Sequence, residues 1–196
     1  MDLKCAHSQF GLNYVIFRPH NVYGEFQNLG DPYRNVIGIF MRQVMTGEPM
    51  SIFGDGGQQR AFSYVGDVAP FIARAPWVPR AANEVFNVGA DVPYTVNELA
   101  GNVAAVMGSP DHPTQYLPTR NEVKIAYADH AKFKSVFGTP AATSLNDGLE
   151  RMAAWARQVG VRTSTLFNDI EIRRNLPPSW ERLLDQGVAA TSAAMR

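Results

Sequence analysis

The pattern that decides the fold lies in NVIGIFMRQVMTGEPMSIFGDGGQQRAFSYVGDVA, residues 35–69. Apolar side chains recur at helical spacing between Val36 and Val44, and Gly47 is a typical stop for such a helix. A short apolar run typical of a strand follows, then a glycine-rich loop and a second extended run. Asp67 is expected to cap the start of the next helix. Strands that alternate with helices predict an α/β architecture.

The same alternation continues on both sides of this stretch. Residues 1–10 are predicted to be the end of a helix that stops at Gly11, and residues 14–17 to be a strand buried on both faces. Pro19 is expected to end the pairing of that strand, because proline lacks an N–H donor. Downstream, the sequence predicts a strand over 84–89, a helix with a capping box of Thr95 and Glu98, a helix closed by Gly138, and a long amphipathic helix over 144–160.

The composition excludes several classes of protein. Lys+Arg and Asp+Glu both total 18 among the 196 residues, so the formal net charge is zero and bulk electrostatic binding of nucleic acid is not expected. No apolar run is long enough to span a membrane. Cys5 is the only cysteine, which rules out a disulfide framework and favours a reducing, cytoplasmic compartment.

The domain organisation follows from the absence of breaks in this pattern. The sequence contains no internal repeat and no long linker. No domain boundary is visible, and the end of the chain, residues 183–196, is interpreted as a frayed tail.

The glycine-rich loop at residues 54–57, GDGG, has two open interpretations. A dinucleotide-binding fingerprint needs a further glycine at the start of a helix, whereas here the chain continues as an extended run. The loop is then either a simple turn between strands or a close approach of backbone to an anion that Arg60 grips. A guanidinium matches phosphate oxygens in a bidentate way, which makes the second interpretation chemically reasonable.

A second candidate site lies in RPHNVYG, residues 18–24, where a predicted strand ends. Open α/β sheets bind ligands at such strand exits. Asn21 offers both a donor and an acceptor, which suits a diphosphate or a sugar hydroxyl, but an Asx-turn is the alternative. His20 is expected to face solvent, and the histidines of the chain are too scattered in sequence to indicate a metal site.

Taken together, RPHNVYG, the run over residues 35–69, FNVG and RNEVK resemble the NAD-dependent epimerase/dehydratase family. This family is the extended branch of the short-chain dehydrogenase/reductases, and the likeness is greatest to UDP-glucose 4-epimerase-like enzymes. The resemblance implies the C-terminal part of a Rossmann-type NAD(P)-binding fold with the substrate-binding subdomain, the N-terminal dinucleotide-binding half being missing. It also implies NAD as cofactor and a UDP-sugar or other nucleotide sugar as substrate. The resemblance extends over residues 1–182, which are therefore expected to be the C-terminal, substrate-binding portion of an epimerase-like protein.

The resemblance assigns roles to individual positions. Pro19 and His20 are expected to approach the nicotinamide of the cofactor. The residues expected to bind substrate are Asn21, Arg60 and Arg120 on the diphosphate, Asn35 and Val36 at the helix that faces the nucleotide, Ile52 and Phe53 along the base, and Glu122 near the phosphates and ribose. No residue of this sequence is assigned a catalytic or metal-binding role.

The chemistry that the family performs depends on residues that this sequence lacks. A tyrosine of a Tyr-x-x-x-Lys motif accepts the hydroxyl proton while NAD takes a hydride from the sugar, and neither that motif nor the glycine fingerprint occurs here. We therefore expect the substrate-binding portion of an epimerase. The alternatives are a truncated, non-catalytic module that binds a nucleotide or a protein, or part of a nucleotide-sugar 4,6-dehydratase. An incomplete sheet is expected to associate with itself or with the missing half, and not with nucleic acid or membrane.

Overall fold

The computed structural model describes residues 2–31, 35–139 and 142–161. The helices are α1 (Asp2–Phe10), α2 (Val36–Thr46), α3 (Ala69–Arg74), α4 (Val96–Val106), α5 (Ala131–Phe137) and α6 (Leu145–Val159). The strands are β1 (Val15–Pro19), β2 (Val22–Tyr23), β3 (Met50–Phe53), β4 (Gln59–Ala61), β5 (Ser63–Tyr64), β6 (Glu84–Val88), β7 (Pro93–Thr95), β8 (Thr114–Leu117) and β9 (Ile125–Ala126). The predicted boundary at residue 182 and the tail over 183–196 lie outside the described residues.

The strands pair mainly in parallel, as an α/β fold requires. β1 pairs with β6, β2 with β5 and β3 with β8, all in parallel. A three-stranded sheet has the order β7-β4-β9, in which β4 is antiparallel to β7 and parallel to β9. Only two residues separate the end of β1 from the start of β2, and this short connection lies at the carboxyl end of β1.

The strand predicted over residues 14–17 runs two residues further, and its pairing ends at Pro19 as predicted. β1 extends through Pro19, which lies opposite Val88 at the last position of the β1–β6 register. A proline at the end of a strand removes a donor only from the final rung of the ladder, so the pairing reaches that rung.

The helix ends confirm one predicted cap and correct another. Thr95 accepts from the Glu98 backbone and Glu98 reaches back to Thr95, which completes the predicted capping box of α4. Asp67 does not cap α3, whose N-cap is Val68. The Asp67 carboxylate instead accepts two hydrogen bonds of 2.8 Å from Thr143, one from the backbone N–H and one from the hydroxyl. Asp67 thereby ties the short turn before α3 to the segment that leads into α6.

The core has two parts. The larger one packs α2, α4 and α6 around β3, and its most enclosed side chains are Ile37, Phe40, Met41, Leu99, Val103, Leu149 and Met152. The smaller one packs α5 and α3 onto β6, where the rings of Phe86 and Phe137 meet edge to face at 5.2 Å. The burial of apolar surface in both parts drives folding. The carboxyl ends of β1 and β6 lie beside the smaller part.

The edge of β1 away from β6 has no partner strand among the described residues. α1 contributes no buried residue to the fold, and its last residue, Phe10, is 81% exposed. None of the described helices has the length and apolar character needed to cross a membrane.

Candidate functional site

The connection between β1 and β2 is held by hydrogen bonds to β4 and β5. Asn21 has a positive φ of 43°, a conformation that asparagine tolerates better than most residues. Its side-chain nitrogen donates to the Ala61 carbonyl at 3.0 Å, and its own carbonyl accepts from the Ser63 backbone N–H at 3.1 Å. The side-chain oxygen of Asn21 accepts no hydrogen bond from the described residues, so it remains available to a ligand.

The glycine-rich loop is a tight turn between β3 and β4. Gly54 and Gly56 have φ values of 70° and 72°, a region in which glycine is favoured. A Cβ on Gly56 would clash with the Asn97 side chain. Asn97 also donates to the Asp55 carbonyl at 2.9 Å, so the start of α4 clamps the turn. The turn delivers the chain directly into β4, which carries Arg60.

The Arg60 side chain is held by an ion pair and by two hydrogen bonds. One terminal guanidinium nitrogen pairs with Glu122 at 3.1 Å, and the other terminal nitrogen donates to the carbonyls of Gln59 and Lys124 at 2.8 and 3.3 Å. The Arg60 side chain is 17% exposed and the Glu122 side chain 38%. This geometry leaves the guanidinium reachable but already paired with a carboxylate.

Arg120 lies two residues before Glu122 and stacks on Phe53. Its guanidinium carbon lies 3.3 Å from the centre of the Phe53 ring, a close cation–π contact. Burial lowers the pKa of Arg120 from its ordinary value, and the nearby Glu122 carboxylate acts in the opposite direction. Gln58 links the parts, since its amide donates to the Phe53 carbonyl at 3.0 Å and to Glu122 at 3.4 Å.

The structure thus brings together four of the residues that the sequence singles out. We call Phe53, Arg60, Arg120 and Glu122 the arginine cluster. Asn21 is joined to it through β4, because the Ala61 carbonyl that it binds belongs to the residue next to Arg60. Sequence reasoning missed Gln58, whose role depends on a contact with a residue 64 positions away.

The remaining predicted substrate residues have structural duties. Asn35 caps α2, since its side-chain oxygen accepts from the Ile37 N–H at 3.1 Å, and its nitrogen donates to the Val22 carbonyl at 2.6 Å. Val36 packs partly against the larger core. The Ile52 side chain is 1% exposed inside that core. Their roles at a nucleotide stay predictions, and for Ile52 the buried side chain restricts any such role to the backbone of β3.

The expectation that His20 faces solvent is wrong. Its ring stacks on the ring of His130 with centroids 5.1 Å apart and planes 7° apart, and both of its ring nitrogens are buried. His130 is 2% exposed and its Nδ1 donates to Asp91 at 2.7 Å. Asp91 also pairs with Lys134 at 2.6 Å. No local signal in the sequence reveals this pairing, because the two histidines lie in segments far apart along the chain.

Pro19 and His20, the residues predicted to approach the nicotinamide of NAD, differ in what they expose to a ligand. Pro19 is exposed at the carboxyl end of β1, where a flat nicotinamide ring could lie against it. The His20 side chain is committed to His130, so His20 could meet a cofactor only through its backbone. The described residues contain no group of three His, Cys, Asp or Glu side chains placed to hold a metal ion.

Comparisons with known proteins show which proteins this chain is similar to. A family model described as "NAD dependent epimerase/dehydratase family" matches residues 2–89. The UDP-glucose 4-epimerase of Mycolicibacterium smegmatis is 30% identical over 158 residues, which cover 80% of this chain. These matches support membership of the NAD-dependent epimerase/dehydratase family.

Solved structures of epimerases show the same fold. The UDP-glucose 4-epimerase of Thermotoga maritima, crystallised with UDP-glucose, is 33% identical, with a TM-score of 0.68 over 81% of this chain. The UDP-glucuronic acid 4-epimerase of Bacillus cereus, in complex with UDP-glucuronic acid and NAD, is 26% identical, with a TM-score of 0.72 over 81% of this chain. The chain spans about half the length of these family members, with 46% of the Mycolicibacterium enzyme and 50% of the Thermotoga chain covered.

Proposed function

We propose that this chain is the substrate-binding portion of a nucleotide-sugar epimerase of the UDP-glucose 4-epimerase type. The observation that carries the proposal is the arginine cluster, in which Arg60 pairs with Glu122 and Arg120, two residues before Glu122, stacks on Phe53 at the end of β3. A diphosphate is the ligand that such a pair of cations suits, because each group forms charge-assisted hydrogen bonds with phosphate oxygens. Complexes with UDP-sugars among the related structures support the choice of nucleotide.

The diphosphate would take the place that Glu122 holds beside Arg60. The Arg60 side chain is largely enclosed, so it loses little freedom when it exchanges one anionic partner for another. Arg120, stacked on Phe53, supplies the second charge, and Asn21 supplies an amide from the β1 exit. Glu122 would then accept a hydrogen bond from a ribose hydroxyl, while the Phe53 strand and the start of α2 at Asn35 and Val36 border the base.

NAD enters the proposal at the end of β1. When bound, NAD takes a hydride from a sugar carbon and returns it to the opposite face, which inverts that carbon. Pro19 and the His20 backbone would lie against the nicotinamide and fix its distance from the sugar. The Tyr-x-x-x-Lys pair that moves the hydroxyl proton in this family is not encoded in these 196 residues.

That absence favours a second candidate, a non-catalytic module that binds a nucleotide or a protein partner without turnover. A nucleotide-sugar 4,6-dehydratase would use the same diphosphate contacts and also stays open. We further propose a cytoplasmic location, on the ground of a single exposed free cysteine, and self-association or association with a complementary half through the unpaired edge of β1.

The proposal is tested by calorimetry with UDP-glucose at neutral pH. Replacement of Arg60 by alanine removes one charged contact with the diphosphate, and we expect binding to weaken by about 1.5–3 kcal/mol. Arg42→Ala is the matched control, because Arg42 also pairs with a carboxylate at 3.1 Å but lies on α2, away from the cluster. Equal affinities for the wild type and Arg60→Ala would remove Arg60 from the site.

Turnover separates the first candidate from the second. UDP-glucose binding that depends on Arg60, combined with no epimerisation in the presence of added NAD, would identify a binding module. Interconversion of UDP-glucose and UDP-galactose by chain free of host epimerase would identify an enzyme. Formation of a 4-keto-6-deoxy sugar would identify a dehydratase.

A further inference from the structure

The stacked pair of His20 and His130 is a feature that the proposed function does not use. The rings are nearly parallel, and neither ring nitrogen of His20 has a hydrogen-bond partner among the described residues. The Nε2 atom of His130 is buried and has no such partner either. Buried polar atoms are usually paired, so three unpaired ring nitrogens in one place require a reason.

His130 is the fixed member of the pair. Its Nδ1 donates to Asp91, and Asp91 in turn pairs with Lys134 on the next turn of α5. The pKa of the Asp91 carboxyl is held below its usual range, first by His130 and then by Lys134, so Asp91 is an ionised acceptor at neutral pH. The acceptor sets the tautomer and orientation of the His130 ring.

His20 is confined against this fixed ring. A Cβ on Gly89 would lie 2.5 Å from both His20 Cε1 and the Ser63 hydroxyl, which shows how closely the β6 end approaches. The Ser63 hydroxyl donates to the His20 carbonyl at 2.9 Å and accepts from the Ala90 N–H at 3.0 Å. The stack therefore determines where the β1–β2 connection, and with it Asn21, sits.

The charges around His20 favour its neutral form. Burial is the main cause that lowers the pKa of His20 below its ordinary value of 6.5, and the neighbouring His130 adds to it. The Ala90 backbone and the Asp91 carboxylate act in the opposite direction, although neither forms a hydrogen bond of good geometry with the His20 ring. Lys134 partly neutralises Asp91, and Ser63 and Gly89 bring no charge to the site.

We propose that His20 is a pH-sensitive positioning residue, which holds the β1–β2 connection in place while its ring is neutral and releases it when the ring is protonated. A protonated ring stacked on His130 would be a buried cation without an acceptor, and such a group costs far more than a neutral one. The protonated His20 ring reaches water only if the β1–β2 connection moves. That movement breaks the hydrogen bonds of Asn21 with Ala61 and Ser63. The consequence for ligand binding rests on the proposed role of Asn21.

The sign of the effect follows from the direction of the pKa shift. The unfolded or released form accepts a proton near pH 6.5, whereas the stacked form resists it until a lower pH. The stacked arrangement is therefore fully favoured above that range and loses stability as the pH falls through it. At neutral pH the connection is closed, and acidification opens it.

The first test needs no variant and no ligand. The ring protons of the four histidines are titrated by NMR, and we expect His20 to have a titration midpoint below 6.5, together with loss of amide-exchange protection at Ser63 as it titrates. A midpoint at or above 6.5, or unchanged Ser63 protection through the titration, would overturn the proposal.

The second test measures binding of UDP-glucose, whose diphosphate is a diester and keeps a constant charge in this pH range. We expect the Kd of the wild type to rise roughly tenfold between about pH 7.5 and about pH 5.5, with a much smaller rise in His20→Phe, which keeps a flat ring that does not titrate. His112→Gln, at a histidine that binds the distant Glu48 carbonyl, should follow the wild type.

The outcomes of the two tests separate the two proposals. If the wild type binds no UDP-glucose at any pH, the proposed function fails, while the NMR titration still decides the role of His20. If UDP-glucose binds and His20→Phe shows the full pH dependence of the wild type, the role of His20 is disproved and the proposed function stands.

Discussion

Glu122 is the residue whose double role decides how the candidate site works. In the structure it pairs with Arg60 at 3.1 Å and lies near Arg120, so it neutralises the charge that a diphosphate needs. In the proposed complex it turns to the ribose instead. A carboxylate that competes with the ligand and also binds part of it should affect a bare phosphate probe and a nucleotide differently.

We predict that Glu122→Gln strengthens the binding of inorganic pyrophosphate roughly fivefold, because Arg60 no longer has a competing anion. The gain for UDP should be smaller, since the ribose loses a charged acceptor. Calorimetry with both probes checks this, and Glu48→Gln, which releases Arg42 from an equivalent pair, is the control. Identical changes for pyrophosphate and UDP would show that Glu122 does not contact the ribose.

Single residues also show where sequence reasoning stops. Arg60 is indicated by its place after a glycine-rich loop, whereas Arg120 and Glu122 are indicated only by the resemblance to a family motif. The burial of His20 could not be predicted, since it depends on His130, which folds back from a segment more than a hundred positions away. The sequence predicts that Asp67 caps the nearest helix, whereas in the structure its carboxylate accepts hydrogen bonds from Thr143, 76 residues downstream.

The helices and the buried strands could be predicted closely, because their signals are local. Helix α4 has its capping box at Thr95, and α2 ends at Gly47 with a left-handed backbone. The strands β8 and β9 could not be predicted, because they are largely exposed and lack the apolar pattern of a buried strand. Their place in the fold is set by pairing with β3 and β4, which is long-range information.

The capping box of α4 supports a prediction at the scale of an element. Thr95→Ala removes the side chain that accepts from the Glu98 N–H, and we expect the free energy of unfolding to fall by about 1 kcal/mol. Thr46→Ala is the control, because the Thr46 hydroxyl donates hydrogen bonds to the Arg42 and Gln43 carbonyls within α2 and caps no helix start. Urea unfolding at neutral pH measures the free energy of unfolding of each variant. An equal decrease in both variants would show that the Thr95 cap does not stabilise α4 more than an ordinary helix hydroxyl does.

At the scale of the whole molecule, the two parts of the core have unequal surroundings. The larger part is enclosed by three helices, whereas the smaller one lies under the β1–β6 pair, in which β1 has no second partner strand among the described residues. A groove that borders β1 on the side of α3 is lined by apolar groups that include Val15, Phe17 and Ile72. An exposed strand edge next to an apolar face tends to recruit another chain.

We therefore predict that the purified chain self-associates through this edge. Sedimentation velocity should show a mass that rises with concentration, and Phe10→Asp, at the 81% exposed end of α1, should shift the equilibrium towards monomer, because burying a charge in an apolar interface is costly. Phe26→Asp is the matched control, since Phe26 is 90% exposed but packs beside Trp155 in another part of the molecule. A monomer at every concentration would contradict the prediction, and equal effects of the two substitutions would place the contact elsewhere.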